Sequence, residues 1–554
     1  MRVWYVLSFM GWDELRKLAS VLGVALPTTK QEAMLSLSEY LQTEAGFGKT
    51  YARLETREKL WLQLFLFGMQ SDGYSLFFPK SMLYSWFIDD IDQRKEAELV
   101  LLQLQRLGFL GKSHNWYASE SFEFADELLP FLIQRLYEEH FVHHSEVIGD
   151  VQIIQQLGIT FSRDTARFLS LMLKKPVGFT KNNVIYKREV TKVLSFFRTA
   201  NTMQLDGAGA WEGVHGAIVM AVKLLVGQQL VRLEEGKVTI SGQQVEKWLQ
   251  ISEELLFEWM VALTNSMVKD RQSHLAELLM HWVRNGTPGE WVPIHAVFSP
   301  LETIGSEKAN QEWMNVVDYF VIVASATGII DYGISETSGL VVRISKWPSV
   351  EPKKLYVQPN LELLVPEEAP LALHFLAGQL GELKRADLMS NYQLNKERIL
   401  QLCDRGWTYE DIANVMEMIS ETQVAPSVLK TIRDWVGSYN RAVLWDAMLI
   451  HFQDSEWFHA FIHDRRSAGI MAETIGDLAV IIKRSGEKTA REILADIGAP
   501  APLAVRKPLV EGTSISATGS KTNRANAEAL GRVTGSGLIE LLRMKLSIGA
   551  NVKK

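Results

Sequence analysis

Glu98–Ser119 reads ELVLLQLQRLGFLGKSHNWYAS, Ala217–Ser241 reads AIVMAVKLLVGQQLVRLEEGKVTIS, and Val317–Ser345 reads VDYFVIVASATGIIDYGISETSGLVVRIS. The three stretches share one grammar. An apolar-periodic helix ends near a small or polar residue, and a short strand follows. A polar or glycine turn then reverses the chain (His114-Asn115, Glu235-Gly236, Ser338-Gly339), and an alternating strand returns. Each stretch is expected to be a helix running into a β-hairpin.

Further helical segments lie upstream of the hairpins: Arg57–Met69 and Pro79–Phe87 before the first, Asp164–Lys174 before the second. Helix, helix, helix, hairpin is winged-helix order. The expected fold is mainly α with small β (α+β), with tandem winged-helix-like modules at 55–150, 155–250 and 251–350. Before them, residues 13–41 carry two helical patterns separated by Pro27 and two threonines. The leucine spacing of this hairpin, within 1–45, is similar to the SAP motif, a short DNA binder, although any packed helical pair can show the same spacing. From Lys353 the texture changes to an α+β domain at 353–505. It opens with the strand pair KKLYVQPNLELLVP and continues with helices over Arg398–Asp404, Thr408–Ser420 and Pro426–Val436. Strands and helices then alternate through Val443–His451, Ser455–His463, Leu478–Lys483 and Glu487–Ile497.

The chain has 554 residues, enough for several domains, and 47% of them are hydrophobic, which excludes wholesale disorder. Its 58 basic and 65 acidic residues leave a net charge of −7, so any contact with nucleic acid has to be local. That charge is segregated. The segment 506–554 has nine basic and three acidic residues, +6, which leaves −13 on residues 1–505. It is expected to be a flexible, disordered basic tail, with phosphate binding, docking on the acidic body and plain solvation as the alternatives for its role. A single cysteine, Cys403, removes disulfides and cysteine-built zinc sites, and no apolar run reaches the ~18 residues of a membrane helix, so a cytoplasmic location is expected.

Catalytic motifs are weak. AGFGKT at Ala45–Thr50 has the glycines, lysine and hydroxyl of a phosphate loop, but a helical pattern precedes it where a buried strand is needed. A glycine turn in a linker is expected there. His140, His143 and His144 share a helical face, as do His459 and His463, without a further ligand of clear geometry. No catalytic residue, metal or cofactor is expected.

The most informative polar stretch is KKPVGFTKNNVIYKREVTK, 174–192. Lys174, Lys175, Lys181, Lys187, Arg188 and Lys192 stand there against Glu189 in an otherwise acidic body. Such a cluster releases condensed counterions when it meets phosphates, and so supports salt-sensitive binding without base readout. Arg232 and Lys237 lie on the hairpin of the same module, Lys112 and Arg343 on its siblings. A solvated helix face is the competing reading.

KKLYVQPNLELLVP, RILQLCDRGWTYEDIANVMEMIS and APSVLKTIRDWVGSYNRAVLWDAMLI together resemble a helicase-associated domain. That domain is shared with the N-terminal region of XPB-type DNA helicases and occurs in bacterial proteins that have no motor. PVGFTKNNVIYKREVTKVL is similar to a segment upstream in the same proteins. Winged helices followed by an XPB-like domain also resemble the subunit of TFIIH that clamps XPB. These resemblances imply an XPB N-terminal-like α/β fold at 353–505 and a helicase or other motor protein as partner, and they leave the process open among DNA repair, transcription, sporulation and phage defence. They carry no active site. The expected function is that of a non-enzymatic, DNA-binding accessory protein that recruits or regulates an XPB-like helicase. A protein-only scaffold is the alternative, and an ATPase using Gly46–Thr50 ranks last.

Overall fold

Left-handed residues end the helices of all three quoted stretches, and the same hydrogen bonds then close the turns. In a computed structural model, the helices Ile91–Arg106, Gly216–Gly227 and Glu307–Thr327 are followed by Gly108 (φ 81°), Gln229 (φ 57°) and Gly328 (φ 78°). One residue later the backbone N–H reaches back across the last turn: Phe109 to Leu104, Leu230 to Leu225 and Ile329 to Ala324, at 3.0, 2.9 and 3.0 Å. This is the Schellman closure, which satisfies an orphan helix carbonyl and redirects the chain. Strands follow at once, and the residue after each returning strand donates to the residue before the outgoing one: Ala125 to Phe109, Ser241 to Leu230, Ser345 to Ile329, at 3.0, 3.0 and 2.9 Å. Gln229 adopts, at some steric cost, a conformation that Gly108 and Gly328 reach freely.

The structure describes residues 2–502 apart from 72–75, 89, 114–119, 143–147, 175–176, 202–210, 270–273, 348–352 and 440–446. The basic tail expected at 506–554 lies outside the described residues, as do His143, His144 and the turn His114-Asn115. The described chain is mainly helical with small antiparallel sheets, as expected. It divides into two units, residues up to Ile432 and from Arg433, the boundary falling within the helix Pro426–Tyr439. Among the described residues no helix is long and apolar enough to cross a membrane.

Four helices open the first unit: Val3–Ser8, Trp12–Leu22, Lys30–Leu41 and Glu44–Tyr51. The hairpin expected at 13–41 is the second and third of them. AGFGKT is not the expected turn, because Thr43 caps the fourth helix by accepting from the Gly46 N–H at 3.1 Å, and Ala45–Thr50 is helical. A side chain at Gly46 would strike the Tyr40 carbonyl, so this glycine serves helix packing. Lys49 donates to the Leu22 carbonyl at 2.7 Å and to the Tyr40 hydroxyl at 2.9 Å, turning its charge onto a helix end.

The first hairpin, Leu110–Ser113 with Ser121–Phe124, belongs to a four-stranded sheet with Gln70–Ser71 and Leu76–Pro79. The second, Val231–Glu234 with Lys237–Ile240, stands as two strands. The third, Ile330–Ser335 with Gly339–Ile344, gains a strand from far upstream, Val151–Gln155, which pairs antiparallel with Ile330–Ser335. Another four-stranded sheet, in the order Tyr356–Val357, Glu362–Pro366, Met389–Leu394, Gly381–Arg385, follows with the apolar helix Leu371–Leu380. The helix Thr160–Lys174 packs against Leu371–Leu380, and a Cβ at Gly378 would lie 2.5 Å from Ser170 Oγ.

In the second unit, Ala447–His451, Ala479–Lys483 and Met471–Ile475 form an antiparallel sheet in that order. One face packs on the helices Ser455–His463 and Glu487–Asp496 through Phe458, Phe461, Val480, Ile482 and Ile493. Burial of each such side chain contributes ~1.5–3 kcal/mol. Leu449 and Ile475 remain 59% and 53% exposed.

Candidate nucleic-acid interface

Thr180–Val184 is a tight turn. The Thr180 N–H donates to the Val184 carbonyl at 2.7 Å and the Asn183 N–H to the Thr180 carbonyl at 2.9 Å, while Phe179 and Ile185 pair across it. Lys181 stands exposed in the turn. Asn183, at φ 60°, takes a left-handed conformation to which its short amide side chain is suited. Its carbonyl Oδ1 accepts from the Gly236 N–H at 3.1 Å, so the turn and the tip of the second hairpin are joined.

That joint explains the choice of residues at the tip. Glu235 (φ 49°) and Gly236 (φ 80°) form the two-residue turn whose positive φ values match strand twist. A Cβ at Gly236 would sit 2.7 Å from the Phe179 carbonyl and 2.8 Å from that of Thr180, so only glycine permits the contact. Lys237, next in line, is thereby brought beside the turn that holds Lys181. Arg232, opposite Thr239, is exposed on the first strand of the hairpin.

The helix Lys187–Leu194 begins just after the turn and packs beside Gly216–Gly227. Its Val193 is buried, while Lys187, Arg188 and Lys192 are exposed. The Arg188 guanidinium lies 5.2 Å from the Tyr186 ring centroid and 3.7 Å from the Glu189 carboxylate. Lys181 and Lys237 thus meet at one joint, and Lys187, Arg188 and Lys192 are exposed on the helix that follows the turn, with Arg232 on the adjoining strand. Lys174 ends the helix Thr160–Lys174 with its side chain outside the description, and Lys175 lies outside the described residues.

The sibling hairpins use their basic residues differently. Lys112 pairs with Glu120 at 3.1 Å, and Glu120 also holds Lys80. Arg343 pairs with Asp331 at 2.9 Å and lies 4.4 Å from the Trp291 ring centroid. Arg232 and Lys237 have no ion-pair partner among the described residues. The cations of the second hairpin remain available to an outside anion.

The histidine candidates fare otherwise. His140 is buried, its ring nitrogens 3.1 Å from the Val297 carbonyl and 2.9 Å from Gln63 Oε1, which makes it an internal tie. His459 and His463 stack on the surface with ring centroids 6.4 Å apart, and no cluster of metal-ligating side chains occurs among the described residues. Burial pushes the Cys403 thiol up, away from the reactive thiolate.

Sequence reasoning missed a second set of polar residues between the helices Thr160–Lys174 and Leu371–Leu380. Asp164 Oδ1 accepts from Arg167 Nη1 at 2.5 Å, and its Oδ2 accepts from the Thr199 N–H and hydroxyl at 2.9 and 2.8 Å. Arg167 Nη2 donates to Ser390 Oγ at 2.9 Å and lies 3.4 Å from His374 Nδ1. Gln379 Nε2 donates to Ser170 Oγ at 2.8 Å. Two signals in the sequence point here: the charges in FSRDTARFLSLML break an apolar helix face, and His374 interrupts LALHFLAGQL.

This seam fastens residues 160–199 to a stretch with relatives. No curated protein matches the chain. Residues 355–476 match the family described as a helicase conserved C-terminal domain, and over that stretch the chain is related to helicases.

Proposed function

We propose that this is a DNA-binding accessory protein without enzymatic activity of its own, which positions or regulates an XPB-like helicase. The observation that carries the reading is the joint between Asn183 and Gly236, which brings Lys237 to the turn that holds Lys181, just ahead of the helix that exposes Lys187, Arg188 and Lys192, in a chain whose residues 355–476 are helicase-related. Exposed cations suit phosphate backbones and carry no base code, so sequence preference is expected to be weak. The resemblance of 353–505 to the N-terminal domain of XPB-type helicases supplies the partner class.

Features of both units support a protein contact there. The strand Tyr356–Val357 edges its sheet, and the strands Ala447–His451 and Met471–Ile475 edge theirs, with Leu449 and Ile475 exposed. Unpaired edges and exposed apolar side chains suit association with a matching domain. Full-length protein immobilised as bait is expected to retain an XPB-type helicase from the same organism. Introducing charge there with Leu449→Glu and Ile475→Glu should lose it. A bait that retains no helicase contradicts the partner assignment.

A further inference from the structure

A cleft of about 580 Å3 opens in the first unit, and its lining includes none of the basic residues of the interface described above. It is lined by Arg163, Arg198, Lys346 and Lys353 together with four carboxylates, and by the apolar faces of Tyr356, Leu388 and Met389. Most of these charges are spoken for. Glu367 accepts from the Thr160 hydroxyl and from Arg198, and Glu368 pairs with Lys353 at 2.9 Å. Asp331 is held by Arg343 at 2.9 Å and by the Ser345 hydroxyl at 2.6 Å, and Glu253 is engaged as well.

Two cations are left over. Arg163 is only 7% exposed, yet its guanidinium has no hydrogen-bond or ion-pair partner among the described residues, and its Nε is buried without one. Lys346, exposed on the same cleft, likewise has no partner among them. Burial pushes Arg163 down to about 10, against the pull of Glu367. A buried charge without a partner is a standing cost to the fold, and an arriving anion offsets it.

We propose that this cleft binds a small phosphorylated ligand, its phosphate held between Arg163 and Lys346 and its apolar or aromatic body lying on Tyr356, Leu388 and Met389. Guanidinium and ammonium supply charge-assisted donors to separate phosphate oxygens. Tyr356, Leu388 and Met389 are 36%, 62% and 43% exposed, an open apolar wall for a flat body such as a nucleobase. The volume falls within the range of small-molecule sites, which favours a free nucleotide-sized ligand over a nucleic-acid strand.

Thermal unfolding of the full-length protein at constant ionic strength tests this with adenosine monophosphate, inorganic phosphate and adenosine. Adenosine monophosphate is expected to raise the midpoint, phosphate to do so only at higher concentration, and adenosine to leave it unchanged. Arg163→Met should abolish the shift and raise the unliganded midpoint by removing a buried charge that has no hydrogen-bond partner. Lys346→Ala, on the surface, should weaken apparent affinity on the order of tenfold. No shift with the nucleotide, an undiminished shift in either variant, or an unliganded Arg163→Met midpoint below wild type would overturn the proposal. So would a shift with a 5′-phosphorylated oligonucleotide alone, which would assign the cleft to strand ends.

Discussion

The helices Thr160–Lys174 and Lys187–Leu194 are neighbours in the chain and both carry charge, yet they spend it in opposite ways. On the first, Asp164 and Arg167 have side chains 0% and 2% exposed, and their charges are answered by each other, Thr199 and Ser390. On the second, Lys187 and Arg188 face water, Arg188 near the Glu189 carboxylate, and the preceding turn meets the tip of the hairpin at the Asn183–Gly236 joint. Charged residue types therefore do not define an interface. Whether the fold buries a charge together with its counter-charge or leaves it facing water decides between a structural tie and a binding surface.

The largest effect expected from this contrast is in the seam. Arg167→Met leaves Asp164 buried without its counter-ion and should cost ~3–5 kcal/mol, read as a lower urea midpoint. Lys187→Glu with Arg188→Glu should leave that midpoint where it is, since exposed ion pairs contribute little. The reverse ranking would break the comparison. Next comes Gly236→Ala, which forces a side chain at φ 80° into the Phe179 and Thr180 carbonyls. Strain of ~1–3 kcal/mol is expected, together with weaker duplex binding as the hairpin tip leaves the turn. Normal binding by this variant would show that binding does not depend on the joint.

Acid offers a smaller, continuous perturbation of the seam. Burial holds the His374 imidazole well below its usual 6.5, and Arg167 and Arg163 add repulsion. Below pH 6.5 the unfolded chain takes up a proton that the folded chain refuses. Stability is thus full above that pH and declines on acidification, by at most ~1.4 kcal/mol per pH unit from this group. His374→Leu should flatten the decline in a pH series of urea midpoints. An unchanged slope would place the acid sensitivity elsewhere.

What could be read in advance was local. The helix Ser455–His463 and the strand Ala479–Lys483 fall where periodicity puts them, and Thr408 caps its helix through Asp411 as its spacing suggests. The three hairpins were legible because a helix stop, a turn pair and an alternating strand lie within one short window. Pairing of Val151–Gln155 with Ile330–Ser335 was not, because register between distant segments leaves no mark on either. The glycines of AGFGKT suggested a turn, yet close approach to Tyr40 fixes Gly46 inside a helix, tertiary packing overriding propensity. The basic cluster was visible as composition in 174–192. The contact that adds Lys237 to it depends on an asparagine and a glycine far apart in sequence, and no periodicity announces such a pair.

The central claim, that the exposed cations grip phosphate, is tested most directly by duplex DNA binding measured by fluorescence anisotropy across a salt series. Wild-type protein should bind with affinity that falls steeply as salt rises. Lys187→Glu with Arg188→Glu should bind more weakly at every salt concentration and show a shallower slope, each lost phosphate contact removing roughly 0.9 from it. Equal affinity and equal slope in the two proteins would contradict the account.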